Sequence, residues 1–354
     1  MSAELEVVVL GARTPVGYTA ESSAAAVRAG ISRYAEFPFV NARGEAVVVA
    51  SDGTLDPKLE GRGRLMPLVG SVLDEVEVKL GSEVLKRNQL RLLLALPEAR
   101  PGFSDEDAAW VLAALEARFR AKNANARVEI AGRGHAGAIR AVEQARREYA
   151  EGADAVFLVA GVDSYHHAET FIWLERGRRF AQPGIRSGFI PGEGAGCLAL
   201  MSAGLRRRLR LSPLAVVRGA HTALERLLRD SDSGSFGVGM TQAVEGAVAR
   251  LDLSHDKVDD LYLDINGERY RSEEWGFVAL RTPSVWRTTG YRSLSDCWGD
   301  VGAAAGVLGG VLAVRAFTRG YARGPRAMVL AGSDGGLRGA MLLQDSQARK
   351  EQEQ

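Results

Sequence analysis

The most diagnostic segment of the chain is residues 188–200, which read GFIPGEGAGCLAL. Gly192, Gly194 and Gly196 alternate around Glu193 and Ala195, and the apolar run CLAL follows them. Glycine allows sharp turns and close backbone approach, and a short apolar run of this kind is typical of a buried strand. We therefore expect a tight turn leading into a core strand, in which these glycines and Glu193 have architectural roles.

An internal duplication surrounds this segment. Residues 5–15 read LEVVVLGARTP and residues 213–223 read PLAVVRGAHTA, two apolar runs that end in Gly-Ala-x-Thr. Residues 134–137 read GHAG and residues 299–306 read GDVGAAAG, and each opens a helix rich in small residues. The order of the landmarks is the same in both copies, which indicates two related halves.

Strands and helices alternate between these landmarks. Residues 106–120, 133–149 and 301–317 have helical spacing of apolar residues, and residues 258–265 have the pattern of a strand. This alternation predicts an α/β protein with layers of mostly parallel sheet. The 301–317 helix carries Ala and Gly on nearly every face, so we expect it to be buried between layers.

Two copies of this pattern with buried helices predict a five-layer αβαβα sandwich. The predicted N-terminal half covers residues 1–203, and the C-terminal half covers residues 213–345. Residues 346–354 are polar and without periodicity, which is typical of a flexible tail. The halves are expected to form one structural unit, because a Gly/Ala helix needs cover on both sides.

Composition excludes several classes of function. The chain has 354 residues, 46% of them hydrophobic, and a net charge of +1, so no global field favours nucleic acid or an anionic membrane. The segment MSAELEVVVLGARTP has neither a signal-peptide pattern nor a membrane-spanning one. We therefore expect a cytoplasmic protein with no nucleic-acid or membrane partner.

The segment at 188–200 resembles the GFxxGEGAG motif of the elongating β-ketoacyl synthases, which belong to the thiolase superfamily. Four further stretches resemble theirs in the same order: the nucleophile segment (126–164), two histidine segments (258–275 and 295–310) and a closing glycine-rich hairpin (329–343). The likeness extends over about residues 5–344, and it implies the thiolase-like αβαβα fold. In that family a cysteine carries the acyl group, and two histidines stabilise the thioester oxygen.

The resemblance also implies that the catalytic residues are replaced. It places the nucleophile position at Gly132 or Arg133, neither of which carries sulfur. Asn266 stands at the position of the first histidine and Asp300 at that of the second. Ser295 is nearest to the family's lysine. The Cys-His-His set is therefore absent from its expected positions.

These replacements differ in their chemistry. Asn266 can still donate a hydrogen bond to an oxyanion, whereas an ionised Asp300 only accepts hydrogen bonds. Gly132 cannot form an acyl-enzyme. We expect condensation by the family mechanism to be lost.

Other residues are candidates for a changed chemistry in the remnant pocket. Cys297 could act as a relocated nucleophile or as a buried apolar residue beside Trp298. His135 lies at a helix N-terminus, where a neutral imidazole is expected, and could accept a proton or serve in packing. The complete predicted pocket is Arg133, His135, Glu193, Cys297, Asn266 and Asp300.

Metal and cofactor sites are not predicted. The two cysteines, Cys197 and Cys297, form no CxxC or Cys/His cluster. His166, His167 and Glu169 lack the spacing of ligands on one helix face, and a surface location is expected for them. Asp264, Asp300 and Glu193 could instead converge as a carboxylate cluster.

Three functional hypotheses follow. The first is a non-condensing binding or scaffold subunit, active as a homodimer or heterodimer. The second is an acyltransferase or another enzyme that acts on thioesters with relocated catalytic residues. The third is a small-molecule sensor that keeps an acyl pocket. For all three, the implied partners are an acyl carrier protein or an acyl thioester.

Overall fold

The computed structural model describes residues 4–182, 184–229, 231 and 234–348. Its strands are β1 (Leu5–Arg13), β2 (Tyr34–Val40), β3 (Ala46–Ala50), β4 (Leu90–Leu96), β5 (Ala126–Arg133), β6 (Val156–Ser164), β7 (Glu193–Met201), β8 (Ala215–Leu224), β9 (Asp260–Leu263), β10 (Arg292–Ser293), β11 (Arg326–Gly332) and β12 (Leu337–Asp345). Its helices are α1 (Ala20–Arg28), α2 (Gly61–Leu80), α3 (Ser82–Arg87), α4 (Asp105–Arg120), α5 (Gly137–Ala150), α6 (Ala168–Arg176), α7 (Ala203–Arg208), α8 (Val238–Val248), α9 (Arg269–Arg281), α10 (Ser295–Trp298) and α11 (Ala305–Thr318).

Two half-sheets with the same topology form the centre of the fold. The N-terminal half has the order β1-β7-β6-β4-β5, and the C-terminal half has the order β8-β12-β11-β9-β10. In both halves the first two pairings are antiparallel and the last two are parallel. The prediction of mostly parallel sheets is therefore wrong, since half of the pairings within each half-sheet are antiparallel.

The two half-sheets join edge to edge through the duplicated apolar strands. Residues Leu5, Glu6 and Val7 of β1 pair antiparallel with Val217, Val216 and Ala215 of β8. Backbone hydrogen bonding therefore continues from one half-sheet into the other and links ten strands of the described chain. The predicted division of the chain at residues 203 and 213 stays a prediction. Helix α7 and the connector after it lie between the two half-sheets along the chain, but the sheet continues across this junction.

Helices α5 and α11 form the middle layer. Each contacts strands of both half-sheets, and the two helices contact each other. Residues 305–314 of α11 are all buried, as its Ala and Gly content predicts. Helices α2 and α4 cover the outer face of the N-terminal half, and α8 covers that of the C-terminal half. These layers give the predicted αβαβα arrangement.

Three hydrophobic clusters correspond to these layers. One joins α5 and α11 to both half-sheets, the second lies under α2 and α4, and the third lies under α8 and α9. A smaller cluster packs the β2–β3 hairpin against α6 and includes Phe171 and Phe189. The hairpin and the 20-residue helix α2 have no counterpart in the sequence-based prediction.

Several predicted boundaries differ from the structure. The helix expected at 133–149 begins only at Gly137, because residues through Arg133 continue β5. The strand expected at 258–265 is limited to Asp260–Leu263. Residues 346–348 of the expected tail are helical, and Ser346 donates a hydrogen bond to the carbonyl of Pro213. The rest of the tail lies outside the described residues.

No helix in the described part of the chain has the length and apolar character that a membrane span requires.

Candidate functional site

The GFIPGEGAG segment positions Asp300 through backbone pairing. The amide of Gly192 donates to the carbonyl of Asp300 at 2.9 Å, and the amide of Asp300 donates to the carbonyl of Ile190 at 2.8 Å. A Cβ on Gly192 would lie 2.1 Å from the carbonyl oxygen of Trp298, so only glycine allows this approach. The predicted architectural role of Gly192 therefore includes fixing the backbone of the site.

The carboxylate of Asp300 is the centre of a buried polar cluster. Its side chain is 2% exposed and accepts four hydrogen bonds. Three of them engage Oδ1 and one engages Oδ2. The donors are Nε2 of His135 at 2.8 Å, the hydroxyl of Tyr165 at 3.2 Å, the amide of Gly302 at 2.8 Å and, on Oδ2, Nδ2 of Asn266 at 2.5 Å.

These contacts shift the pKa values of His135 and Asp300. Burial opposes ionisation of Asp300, but the charge of His135 and its hydrogen bond hold the pKa of the carboxyl well below its usual range. Burial alone would lower the pKa of His135, yet the charge of Asp300 raises it above its ordinary value. This shift is opposite in direction to the one expected at a helix start, and the neutral imidazole stays a prediction.

Arg271 supports the cluster from helix α9. Its Nη1 donates at 2.7 Å both to Oδ2 of Asp264 and to the carbonyl of Gly332. Its Nη2 lies 3.5 Å from Nε2 of His135. The predicted convergence of Asp264 with Asp300 is thus indirect, because Arg271 and His135 lie between their carboxylates.

Four charged side chains form a ring beside this cluster: Arg179, Glu268, Asp334 and Arg271. Arg179 makes a two-pronged contact with Glu268 at 2.7 and 2.9 Å and a second one with Asp334 at 2.7 and 3.3 Å. Arg271 contacts the same two carboxylates at 3.5 and 3.6 Å. Arg179 follows α6 of the N-terminal half, so the ring ties both halves of the fold together.

A cavity of about 190 Å³ lies beside His135. We call it the His135 cavity. Arg100 enters it with its guanidinium 4.3 Å above the ring of Tyr165 and 2.5 Å from Oδ1 of Asp163. The residues that line it are Glu98, Ala99, Arg100, Gly134, His135, Asp163, Tyr165, Trp173, Asp334 and Gly335.

The position assigned to the lost nucleophile lies in a strand. Gly132 belongs to β5, and a Cβ there would lie 2.5 Å from the carbonyl oxygen of Gly137. The sharp turn from β5 into α5 comes two residues later, at Gly134, whose φ is +68°. Gly134 rather than Gly132 lines the His135 cavity.

The remaining predicted pocket residues are only partly brought together. The structure joins His135, Asn266 and Asp300 by direct contacts. Arg133 points elsewhere, since its guanidinium contacts the carbonyl of Pro97 and the carboxylate of Asp105.

Glu193, Cys297 and Ser295 also lie apart from the cluster. Glu193 is fully buried and binds Arg64 through both carboxylate oxygens, at 2.5 and 2.8 Å. Cys297 is 6% exposed and does not line the His135 cavity. The carbonyl of Ser295 accepts a hydrogen bond from the hydroxyl of Tyr34, and Ser295 lines a separate surface groove with Asn266.

The two histidines at 166 and 167 have different surroundings. His166 is 1% exposed, so the expected surface location is wrong for this residue. His167 caps helix α6 by accepting a hydrogen bond from the amide of Glu169. Within the described residues, no group of three or more His, Cys, Asp or Glu side chains is arranged to hold a metal ion.

Sequence reasoning missed the arginines that organise the site. Arg64, Arg100, Arg179 and Arg271 are all buried or nearly so, and each faces at least one carboxylate. For Arg64, Arg100 and Arg179 the partners lie 63 to 155 residues away along the chain. The only local signal is Arg271, which follows Asp264 by seven residues.

Comparisons of sequence find no relative. No family profile matches the chain. No curated protein matches it either.

Comparisons of structure find many similar chains. One of them belongs to a complex between a type II polyketide synthase acyl-carrier protein and its ketosynthase bound to the hexaketide. It superposes with a TM-score of 0.79 at 12% sequence identity, and the match covers 98% of this chain and 100% of that one. The ketosynthase from module 6 of the bacillaene synthase of Bacillus subtilis 168 gives 0.77 at 13% identity, with coverages of 97% and 72%. The ishigamide ketosynthase/chain length factor gives 0.72 at 19% identity, with coverages of 96% and 99%. At these identities the likeness shows the fold alone, and it confirms the fold predicted from the GFIPGEGAG segment: the chain has the αβαβα fold of these ketosynthases.

Proposed function

We propose that this chain is a non-condensing subunit that dimerises and binds an acyl carrier protein or an acyl thioester without forming an acyl-enzyme. The observation that carries the proposal is the cluster around Asp300. A condensing site needs hydrogen-bond donors directed at a developing oxyanion. The family resemblance assigns Asp300 to that place, and its buried carboxylate accepts hydrogen bonds from His135, Asn266 and Tyr165.

The cysteines support the same conclusion. Cys197 lies fully buried in β7, and burial raises the pKa of its thiol. Burial, together with the nearby charge of Asp296, also raises the pKa of the Cys297 thiol. A nucleophilic cysteine requires a lowered pKa, so both environments oppose thiolate formation at neutral pH.

The edge of the sheet supports dimerisation. Strand β5 is the last strand of the N-terminal half-sheet and pairs only with β4 among the described residues. Arg127 and Glu129 on this strand are exposed, whereas Val128 between them is buried. An exposed edge strand is a template for pairing with another chain, and antiparallel pairing about Val128 would place Arg127 opposite the partner's Glu129 position.

The structurally similar chains give the kinds of partner to test. One was solved with an acyl-carrier protein, and another is described as a ketosynthase/chain length factor. By this analogy we infer that the present chain pairs with a second copy or with a related chain. A carrier protein is the ligand that such a pair would bind.

Incubation with acyl-CoA and acyl carrier protein thioesters tests the proposal. Intact-mass spectrometry should show no acyl adduct on the chain, while an active ketosynthase treated in parallel becomes acylated. Analytical ultracentrifugation at micromolar concentration should show a dimer. A covalent adduct, or a monomer that stays monomeric with every related chain and carrier protein tried, would contradict the proposal.

A second candidate function rests on His135. Its hydrogen bond to Asp300 is the arrangement by which a carboxylate orients an imidazole base, and His135 lines a cavity. The alternative is therefore an enzyme that acts on thioesters through this pair. Release of free thiol from acyl-CoA, abolished by His135→Gln, would establish it in place of the first proposal.

A further inference from the structure

A surface groove of about 600 Å³ lies beside Asn266, and this volume is within the range of small-molecule sites. We call it the Asp296 groove. Three parts of the chain form it: Tyr34 at the start of β2, Ile190 of the GFIPGEGAG segment, and residues on both sides of β10 that include Tyr291 and Asp296. The groove is therefore a product of the completed fold.

The charge in the groove has one sign. Asp296 is the only charged residue among the described residues that line it. Its side chain is exposed, and its carboxylate makes no ion pair or hydrogen bond with the described part of the chain. A cleft lined by charge of one sign attracts ligands of the opposite sign, so the groove favours a cation.

Two tyrosines border the same groove. Tyr34 is 36% exposed and Tyr291 is 41% exposed. The hydroxyl of Tyr34 donates to the carbonyl of Ser295 at 2.7 Å, which holds this ring next to the residue that precedes Asp296. Aromatic rings attract organic cations through their π-systems, and a carboxylate close to a ring adds to this attraction.

Hydrogen bonding in the groove distinguishes between kinds of cation. The hydroxyl of Ser293 donates to a backbone carbonyl at 2.7 Å, and the side-chain amide of Asn266 is bound to Asp300 and Glu268. A primary ammonium has three N–H donors that need acceptors, and few side-chain acceptors in the groove remain for them. A quaternary ammonium donates no hydrogen bond, so the carboxylate of Asp296 and the rings are sufficient to bind it.

The apolar part of the lining suits the methyl groups of such a cation. Ile190 and Ile265 line the groove together with the two tyrosines, and burial of methyl groups against them removes apolar surface from water. An anion would be repelled by Asp296. A wholly apolar ligand would cover this carboxylate without pairing it, which costs free energy.

We propose that the Asp296 groove binds a quaternary ammonium group of the choline type, held by the carboxylate of Asp296 and the rings of Tyr34 and Tyr291. This inference goes beyond the proposed function and does not depend on it. The groove includes neither the lost nucleophile position nor the β5 edge. Of the residues that bind the carboxylate of Asp300, only Asn266 lines it.

Calorimetric titration of the full chain with matched probes tests the proposal. The probes are choline, its neutral analogue in which a tert-butyl group replaces the trimethylammonium group, and ethanolamine. Choline and the tert-butyl analogue have nearly the same shape and differ in charge, whereas ethanolamine keeps the charge and lacks the methyl groups. Choline should bind at least tenfold more tightly than either. Absence of choline binding, or equal affinity for the tert-butyl analogue, would overturn the assignment.

Three variants locate the binding. Asp296→Asn removes the charge at constant size, and Tyr291→Leu removes a ring; both positions are exposed, so the fold should be kept. Each should weaken choline binding at least fivefold. Tyr291→Phe keeps the ring and should bind choline like the parent chain; a loss as large as that of Tyr291→Leu would contradict the role of the ring.

Glu106→Gln is the control for the overall charge of the protein. Glu106 is an exposed acid in α4, outside the groove, and its replacement should leave the affinity for choline unchanged. If Asp296→Asn and Tyr291→Leu also bind choline like the parent chain, the site is elsewhere and the inference fails. An acyl adduct in the thioester experiment would contradict the proposed function alone, because choline binding is measured without a thioester.

Discussion

Nε2 of His135 lies 2.8 Å from Oδ1 of Asp300, and both side chains are almost completely buried. The two residues come from different halves of the fold, 165 positions apart. A buried ionic contact of this kind is held together by the charge of each partner, since either charge alone would be strongly disfavoured in the interior. The protonation of His135 is therefore coupled to the ionisation of Asp300.

Replacing Asp300 by asparagine should reverse the pKa shift of His135. Burial lowers the pKa of the imidazole, and the charge of Asp300 is the main factor that raises it. In Asp300→Asn we expect the pKa of His135 to fall below its ordinary value, and the free energy of unfolding to fall by about 3 kcal/mol because a buried charged contact is broken. NMR titration of the imidazole signals and urea denaturation measure the two effects.

Asp296→Asn is the matched control, because Asp296 is exposed and only four residues away. It should leave the pKa of His135 and the unfolding midpoint unchanged. An unaltered His135 titration in Asp300→Asn would show that the carboxylate does not control the imidazole.

His166 should make the protein less stable in mild acid. Burial lowers the pKa of His166 to about 4, with the charge of Glu193 opposing the shift. In the unfolded chain its pKa is about 6.5, so between these values the unfolded state binds more protons. The contribution is thus fully present above pH 6.5 and is lost as the pH falls towards 4, by about 3 kcal/mol in total.

Urea denaturation across pH 4–8 measures this loss, and His166→Phe isolates it. The His166 ring lies 5.1 Å from that of Phe37 and 6.0 Å from that of Phe171, so phenylalanine keeps the aromatic packing. The variant should lose less stability between pH 6.5 and 4 than the parent protein. His255→Gln, at an exposed site, should lose stability in acid as the parent does. If the parent, His166→Phe and His255→Gln all lose the same stability between pH 6.5 and 4, the assignment to His166 is contradicted.

The glycine motif was the part of the site most accessible from the sequence. Gly192 and Asp300 belong to segments whose spacing and composition are diagnostic, and the structure pairs their backbones. By contrast, Arg64 and Glu193 are 129 residues apart, and nothing in either local sequence indicates the contact. Turn glycines are required by the local backbone, so their positions can be predicted from the sequence. Long-range ionic contacts such as Arg64–Glu193 form only in the completed fold, so the sequence alone does not predict them.

Gly192→Ala should destabilise the fold strongly. The added Cβ would lie 2.1 Å from the carbonyl oxygen of Trp298 and 2.8 Å from that of Asp300, so the paired backbones must separate. We expect a loss of about 3 kcal/mol in the free energy of unfolding, together with a lower pKa of His135 as Asp300 is displaced. Urea denaturation and imidazole NMR report on both.

Gly276→Ala provides the control for a methyl group added to glycine. Gly276 lies in α9, and a Cβ there would meet nothing within 4 Å. Alanine in an exposed helical position should raise the free energy of unfolding by about 0.5–1 kcal/mol. If both variants changed stability equally, the close approach at Gly192 would not matter.

Charge exchange on β5 tests the proposed dimer. In antiparallel pairing about Val128, residue 127 of one chain faces residue 129 of the other, so Arg127 and Glu129 form two cross-strand contacts per dimer. Arg127→Glu would place like charges opposite each other, which destabilises cross-strand pairs, and Glu129→Arg would do the same. Each single variant should dissociate at a higher concentration than the parent chain in analytical ultracentrifugation.

The double variant, Arg127→Glu with Glu129→Arg, restores opposite charges in the same register and should recover the parental dissociation constant. Recovery distinguishes pairing about Val128 from a general effect of charge, because any other register leaves the exchanged residues facing different neighbours. Glu129 also accepts a hydrogen bond from Gln144 of the same chain, at 2.7 Å. Gln144→Ala removes this contact and should leave the dissociation constant unchanged, because the proposed charge pairs form between chains and do not involve Gln144. If both single charge variants dissociate at the same concentration as the parent, β5 is not the interface.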